Sequence, residues 1–488
     1  MPADVENEED EKRRKGKMTT MEQRDAFKSF WDAYSDRPDN TAMMLNSNAD
    51  ELEAADRHDI ISCLPCMKNK HAVDIGAGIG RFTTVFANTA RWVLSTDFIE
   101  SFIEKNKLRN AHLPNVDYRI GDAVHLQLEN ESTDIVFTNW LLMYLTDREC
   151  VKFVQNAMRW LRADGYIHLR ESCSEPSTGR VSKTVSLHNP NAEAVNPTSY
   201  RFSSLYIRLL RAIRHRDAQG KLWRFDVQWS CSVPTYIKRM SNWRQVHWLT
   251  QKILAEDQNE KIPTEDELVE LFSKTWFEEQ RYWDSVLDDE RSVWTDAIFG
   301  PRLSDQLVPQ NSTVWVYQPR RLASHLHVNA FALADRFTCN VWAVEEQPLY
   351  YRTSLTRANA TKDQRVRFSW NPDLERAVGY WENKSAQFHA AVAIELLGEN
   401  DPATVKRLGG ILNLEAQVVL LEPTTKGEDD IRKKASLAGL RNVRVSDVSS
   451  ECRRALEQYL AAEQNNPSSS SAATISSTTQ WFLVEACF

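Results

Sequence analysis

The chain runs to 488 residues, more than one ordinary domain holds, so roughly two or three domains are expected. Apolar residues at 42% and charged residues at 26% describe a globular protein with ample core. The net charge of −8 excludes a general nucleic-acid binder, which needs surplus Lys and Arg against phosphate, while a local basic patch still suits a small anion.

Residues 1–20 (MPADVENEEDEKRRKGKMTT) set an acidic run beside a basic one and contain no apolar signal-peptide core. They read as a solvated, disordered tail. KRRKGK also fits a nuclear-localisation motif, the weaker of the two readings. No apolar run approaches the roughly 20 residues of a membrane span. Cys63 and Cys66 form a CxxC, but no second pair follows at zinc spacing. Two small buried thiols are expected there, with no metal, in a cytoplasmic protein.

From 71 to 172 strand and helix patterns alternate. The expected strands are 71–76 (HAVDIG), 91–97 (RWVLSTD), 116–122 (VDYRIGD), 134–140 (DIVFTNW) and 165–172 (GYIHLRES). Between them the clearest helix spans 147–161, with apolar residues at helical spacing. This rhythm predicts an α/β fold with a parallel, doubly wound sheet whose strand ends share one ligand-binding edge. Residues 173–260, rich in Tyr, Trp and Arg, are expected as a lid or cap over that edge. A helical connector follows at 261–311, opening with PTEDELVEL. The α/β pattern returns weakly in 312–488: strands at 417–423, 442–447 and 481–488, a helix at 430–438, and a flexible loop at 463–479. Only Gly409-Gly410 precedes its strand 417–423, so this region reads as a degenerate copy without the glycine loop. The expected division is therefore a tail (1–20), a complete α/β domain with substrate lid (21–260), a connector (261–311) and a degenerate copy of that domain (312–488).

The sharpest local signal is VDIGAGIG at 73–80, a strand entering a glycine-rich turn. Gly76 and Gly78 permit the turn and close approach of backbone to a ligand. A dinucleotide fingerprint wants GxGxxG, and the acid ahead of the turn, Asp74, would repel a pyrophosphate. An acid there suits a cationic ligand such as S-adenosylmethionine (SAM). Asp97 closes the second strand, placed to accept from both ribose hydroxyls. Asp122 closes the third, placed for the adenine amino group, and Asn139 closes the fourth, beside the methionyl end. Acids and amides at four successive strand ends are more specific than any single motif, and the fold class expected is a Rossmann-like class I SAM methyltransferase.

At this point the chain resembles the phosphoethanolamine N-methyltransferases of nematodes and plants. The resemblance rests on AMMLNS (42–47), DIGAGIGRFT (74–83), DFIESFIEKN (97–106), NWLLMYL (139–145), RESC (170–173) and NPTSYR (196–201), across about residues 25–250. The nematode type, with its complete methyltransferase domain at the N-terminus, is the nearer pattern. What it implies is methylation of phosphoethanolamine to phospho-monomethylethanolamine, the first methylation toward phosphocholine and phosphatidylcholine. It also implies Met44 and Ser47 near the substrate, and a phosphate grip from Tyr200, Arg201, Tyr206 and Lys238. Single-domain relatives carry a histidine where this chain has Tyr144, which becomes the candidate for orienting the amine or relaying its proton. Two rivals stand beside this reading: a SAM methyltransferase of another small acceptor, and a regulatory or assembly protein whose C-terminal half docks a second methyltransferase.

Overall fold

The computed structural model describes residues 20–36, 39–173, 198–273, 298–299, 303, 308, 310–318, 328–382, 384, 387–454, 457 and 480–488. The expected tail and the loop at 463–479 lie almost wholly outside them. The strands of the first half are β1 (His71–Ile75), β2 (Trp92–Asp97), β3 (Val116–Ile120), β4 (Thr133–Thr138), β5 (Leu161–Ser172), β6 (Arg214–Arg216), β7 (Leu222–Ser232) and β8 (Gln245–Leu254). The second half adds β9 (Thr313–Gln318), β10 (Asn340–Glu345), β11 (Val366–Trp370), β12 (Phe388–Ile394), β13 (Leu412–Thr424), β14 (Arg441–Asp447) and β15 (Gln480–Cys487).

Helices flank the parallel strands, so β1, β2 and β4 are buried almost throughout and read as apolar runs, not alternations. The helix Asp147–Trp160 starts where Thr146 and Glu149 form a reciprocal capping box. That pairing satisfies backbone donors which the first turn would otherwise leave open.

Along the sheet the first half runs β3-β2-β1-β4-β5-β8-β7, and the second runs β11-β10-β9-β12-β13-β15-β14. The two orders are the same. They join edge to edge where β7 pairs antiparallel with β11, Cys231 opposite Ser369 and Ser230 opposite Trp370. Register puts the central strands of the two halves in correspondence. Ile75 faces Thr96 and Thr138 as Tyr317 faces Val344 and Ala393. It follows that Gly76 corresponds to Gln318, Asp97 to Glu345, Trp140 to Glu395 and Glu171 to Glu422. Trp140 and Glu395 both adopt positive φ (59° and 54°), so the backbone after strand four bends alike in each half.

Three expectations need correction. Residues 203–254 are not a cap: they form the helix Ser203–Ala212 and the strands β6 to β8, which complete the sheet. Their aromatic residues mislead because β7 and β8 are covered on both faces, burying Trp223, Trp229 and Trp248. What packs over the strand ends is the segment before β1, including the helix Thr20–Asp32. In the second half the strands β9 to β12 went unread. The CxxC thiols are also not both buried, since Cys63 is half-buried and Cys66 is exposed.

Candidate active site

The glycine turn is built by hydrogen bonds from neighbouring strands. Gly76 and Ala77 donate to the Thr96 carbonyl at 2.9 and 3.1 Å. Asp97 accepts the Gly78 N–H through Oδ2 (2.9 Å) and the Ile99 N–H through Oδ1 (3.0 Å). Gly76, Gly78 and Gly80 all have positive φ. A Cβ on Gly78 would lie 2.7 Å from the Met43 sulfur, and one on Gly80 would lie 2.2 Å from Asn106 Oδ1. No larger residue fits without moving these groups.

Beneath the turn Asp74 accepts from the Thr83 hydroxyl (2.6 Å), within a knot that includes Ser95 and Asn106. Burial pushes Asp74 up to about 7, against the opposing Thr83 hydrogen bond, and pushes Asp97 up to about 6. Both acids gain from a cationic or hydroxyl-bearing ligand that replaces lost hydration. Asp122 accepts from Val124 N–H (2.9 Å), contacts His125 Nδ1 (3.1 Å) and pairs with Arg24 of the covering helix. Asn139 Oδ1 accepts from Arg170 (3.3 Å). Asp74 and Asp97 thus sit at the glycine turn, while Asp122 and Asn139 close the next strands on the same sheet edge. That cradle, with its close-packed glycines and desolvated acids, fits SAM.

Tyr144 lies in the short turn Leu142–Tyr144, buried against the covering helix. Its ring stands edge-on to Phe27 (5.9 Å) and Trp31 (5.3 Å), and Trp31 reaches across to Phe102 at 6.1 Å. The helix Thr20–Asp32 therefore bridges the ends of β4 and the segment after β2.

The expected substrate residues scatter. Met44 packs into the core with Phe82 and Phe86, while its neighbour Met43 lies on Gly78. Ser47 is an exposed turn residue, and Lys238 lies on the exposed side of the helix Pro234–Met240. Tyr200 is 43% exposed with the Arg244 guanidinium 5.2 Å from its ring centre. Tyr206 is buried against Trp248 and Phe272, with ring centres 4.7 and 5.5 Å away. Arg201 is buried too, and its guanidinium donates to the carbonyls of Leu142 (2.9 Å) and Leu145 (2.6 Å) and to Asp147 (2.7 Å). It does not point at an open site.

One cluster escaped the sequence reading altogether. Arg170, wholly buried, stacks on the Trp140 ring at 3.4 Å and lies 5.0 Å from that of Tyr236. It also donates to Asp56 (3.4 Å), which accepts from Arg81 (2.9 Å). Asp56 and Tyr236 are about 180 residues apart, so no local pattern pairs them; only the buried charge in RES, after an apolar strand, hinted at Arg170.

Known proteins resemble this chain in sequence and in fold. A methyltransferase-domain family model matches residues 73–169. Phosphoethanolamine N-methyltransferase 1 of Caenorhabditis elegans is 56% identical over 434 residues, covering 89% of this chain and 90% of that one. The wheat (Triticum aestivum) phosphoethanolamine N-methyltransferase is 38% identical over 234 residues, 48% of this chain and 44% of its own length. The Haemonchus contortus phosphoethanolamine N-methyltransferase 1, solved with phosphoethanolamine and S-adenosylhomocysteine, matches at TM-score 0.89 and 53% identity, over 97% of this chain and 99% of that one. Similarity of this extent, through both halves of the sheet, places the chain in a family: it belongs to the phosphoethanolamine N-methyltransferases.

Proposed function

We propose that this chain transfers a methyl group from SAM to the nitrogen of phosphoethanolamine, giving phospho-monomethylethanolamine on the route to phosphocholine. The observation that carries this is the near full-length likeness to the H. contortus enzyme solved with phosphoethanolamine. The glycine cradle of the first half supports it.

When bound, SAM supplies a methyl already activated by its sulfonium. The remaining work belongs to the protein. Gly76, Gly78 and Asp97 hold the donor, with Asp74 beneath the turn, and Asp122 and Asn139 complete the row of strand ends. The acceptor arrives as an ammonium with a pKa like that of lysine, about 10.4, so one proton must leave before its lone pair can attack. Tyr144 orients that amine and passes its proton toward solvent; as a weak base it acts by position. Phe27, Phe30 and Trp31 pack over Tyr144, which holds its ring in place at the strand ends. Of the residues expected to hold phosphate, Tyr200 with Arg244 behind it and Lys238 stay accessible, and these carry the grip in this reading.

Among the described residues no helix is long and apolar enough to cross a membrane. A cytoplasmic location is part of the proposal, checked by cell fractionation. So is association of the second half with another methyltransferase, checked by co-purification of the two full chains. The test of the activity itself is incubation with labelled SAM and, separately, phosphoethanolamine, phospho-monomethylethanolamine and ethanolamine, with products identified by mass. Turnover of phosphoethanolamine with one methyl added is expected. No turnover of any of them, with SAM still bound, would leave the fold and remove the substrate.

A further inference from the structure

The turn after β4 closes two backbone hydrogen bonds of its own, Tyr144 N–H to the Leu141 carbonyl (3.0 Å) and Leu145 N–H to that of Leu142 (3.1 Å), so its other peptide groups need outside partners. They find them on two buried side chains. Glu171 accepts the N–H groups of Leu141 and Leu142 through Oε1, at 3.1 and 2.8 Å, and that of Met143 through Oε2, at 3.1 Å. Arg201 takes the opposite polarity, donating to the carbonyls of Leu142 and Leu145. The remaining carbonyl of Met143 accepts from Ser199 N–H at 2.7 Å. One carboxylate and one guanidinium thus hold a five-residue turn from its two sides.

The second half supplies a control. Glu422, at the position of Glu171, accepts Leu397 N–H through Oε1 at 2.9 Å. Lys434 donates to the Gly398 carbonyl of the same turn at 3.2 Å. The carboxylate recurs at the same position, and a cation from a different place in the chain reaches the turn, where the glycine loop is absent, so this device serves the turn and not a bound ligand. In the first half the cation is an arginine, whose rigid fork reaches two carbonyls together; lysine is a single point charge.

We infer that Glu171 and Arg201 are positioning residues for methyl transfer, fixing the 141–145 turn and through it the Tyr144 ring. The inference rests on the proposed role of Tyr144 and takes Arg201 out of the phosphate grip. Loosening the turn displaces Tyr144 without touching either substrate, so it lowers turnover more than affinity.

The test uses the full chain with Arg201→Lys and Glu171→Gln, each also combined with Tyr144→Phe. Expected for each single variant is a kcat lower by about 10- to 100-fold, with KM for phosphoethanolamine and Kd for SAM within about 3-fold. Combination with Tyr144→Phe should add little further loss, because the clamp acts through that ring. Hydrogen exchange across 139–147, which needs no substrate, should quicken in both variants. A tenfold or larger rise in KM at unchanged kcat for Arg201→Lys would put Arg201 on the phosphate and overturn the inference. Multiplicative losses with Tyr144→Phe, or unchanged exchange in the turn, would overturn it too. If Glu171→Gln does not fold, Glu171→Asp, shorter by one methylene, gives the same comparison. An unsubstituted chain inactive on every phosphobase would instead defeat the functional reading, while exchange in the turn would still judge the clamp.

Discussion

Between the two halves the strand order is the same and so is the bend after the fourth strand, yet the residues at the strand ends differ in kind. Where the first half has Asp74, Gly76 and Asn139, the second has Val316, Gln318 and Ile394; where it has Arg170, the second has Leu421. What persists is the carboxylate that holds the turn, Glu171 or Glu422, while the acid closing strand two has changed company: Asp97 accepts from the Gly78 N–H, Glu345 from the Ser354 hydroxyl. The difference separates groups that serve the fold from groups that serve a ligand, a division one half alone could not reveal.

The largest effect should come from the glycine turn. Gly80→Ala drives a Cβ into Asn106 at a φ of +79°, whereas Gly410 in the second half has no atom within 4 Å of its would-be Cβ. Gly80→Ala should weaken SAM binding by roughly 100-fold or more, and Gly410→Ala should leave it within about 3-fold, both read by titration calorimetry. Equal losses from both would mean that Gly80 acts through the stability of the chain and not through the cofactor turn.

The strand-two acids sharpen the contrast. Asp97→Ala should cost SAM roughly 10- to 100-fold in affinity, since it removes a buried acceptor that also holds Gly78. Glu345 instead accepts from Ser354 at 3.1 Å. Glu345→Ala should spare SAM binding and lower stability by about 1–3 kcal/mol in denaturant melts, the cost of an abandoned buried donor.

Smaller, but specific in sign, is the pH dependence. Burial raises Asp97 to about 6, Asp74 and Glu171 to about 7, and Glu422 to about 8. The folded chain therefore keeps protons that the unfolded chain has released, and this contribution is lost as pH rises from the ordinary carboxyl range near 4 through about 8. Burial lowers His168 to about 3 and lowers His247, so these favour the fold increasingly as pH climbs toward their ordinary value. The four acids outnumber the two histidines, so the ligand-free Tm should fall from about pH 5 to about pH 8. Glu422→Gln should flatten that alkaline fall without altering kcat, as scanning calorimetry and a standard assay would register.

Much of the first half could be read before any coordinates because each strand there ends in a residue with chemistry. A glycine turn, Asp97, Asp122 and Asn139 punctuate β1 to β4, and the periodicity between them is regular. The second half lost that punctuation. Its strands β9, β10 and β12 are buried on both faces, so neither alternation nor a terminating motif marks them. The helix Pro348–Thr361 buries residues nearly all round, from Tyr350 to Leu355, and shows no polar face. Arg201 illustrates a different limit. An arginine that grips phosphate and one that grips carbonyls use the same fork, and the sequence beside them does not say which. The shared sheet also alters how the halves can be separated. Removing 265–488 strips β11 from β7 and exposes an unpaired edge, so a truncated first half tests edge stability as much as independence.

The central claim is that one half of a duplicated fold holds the donor and the other does not. Titration calorimetry of the full chain with SAM measures that directly. The account predicts one SAM per chain, with that site abolished by Gly80→Ala and retained in Glu345→Ala; two SAM per chain, or a site that survives Gly80→Ala and disappears with Glu345→Ala, would contradict it.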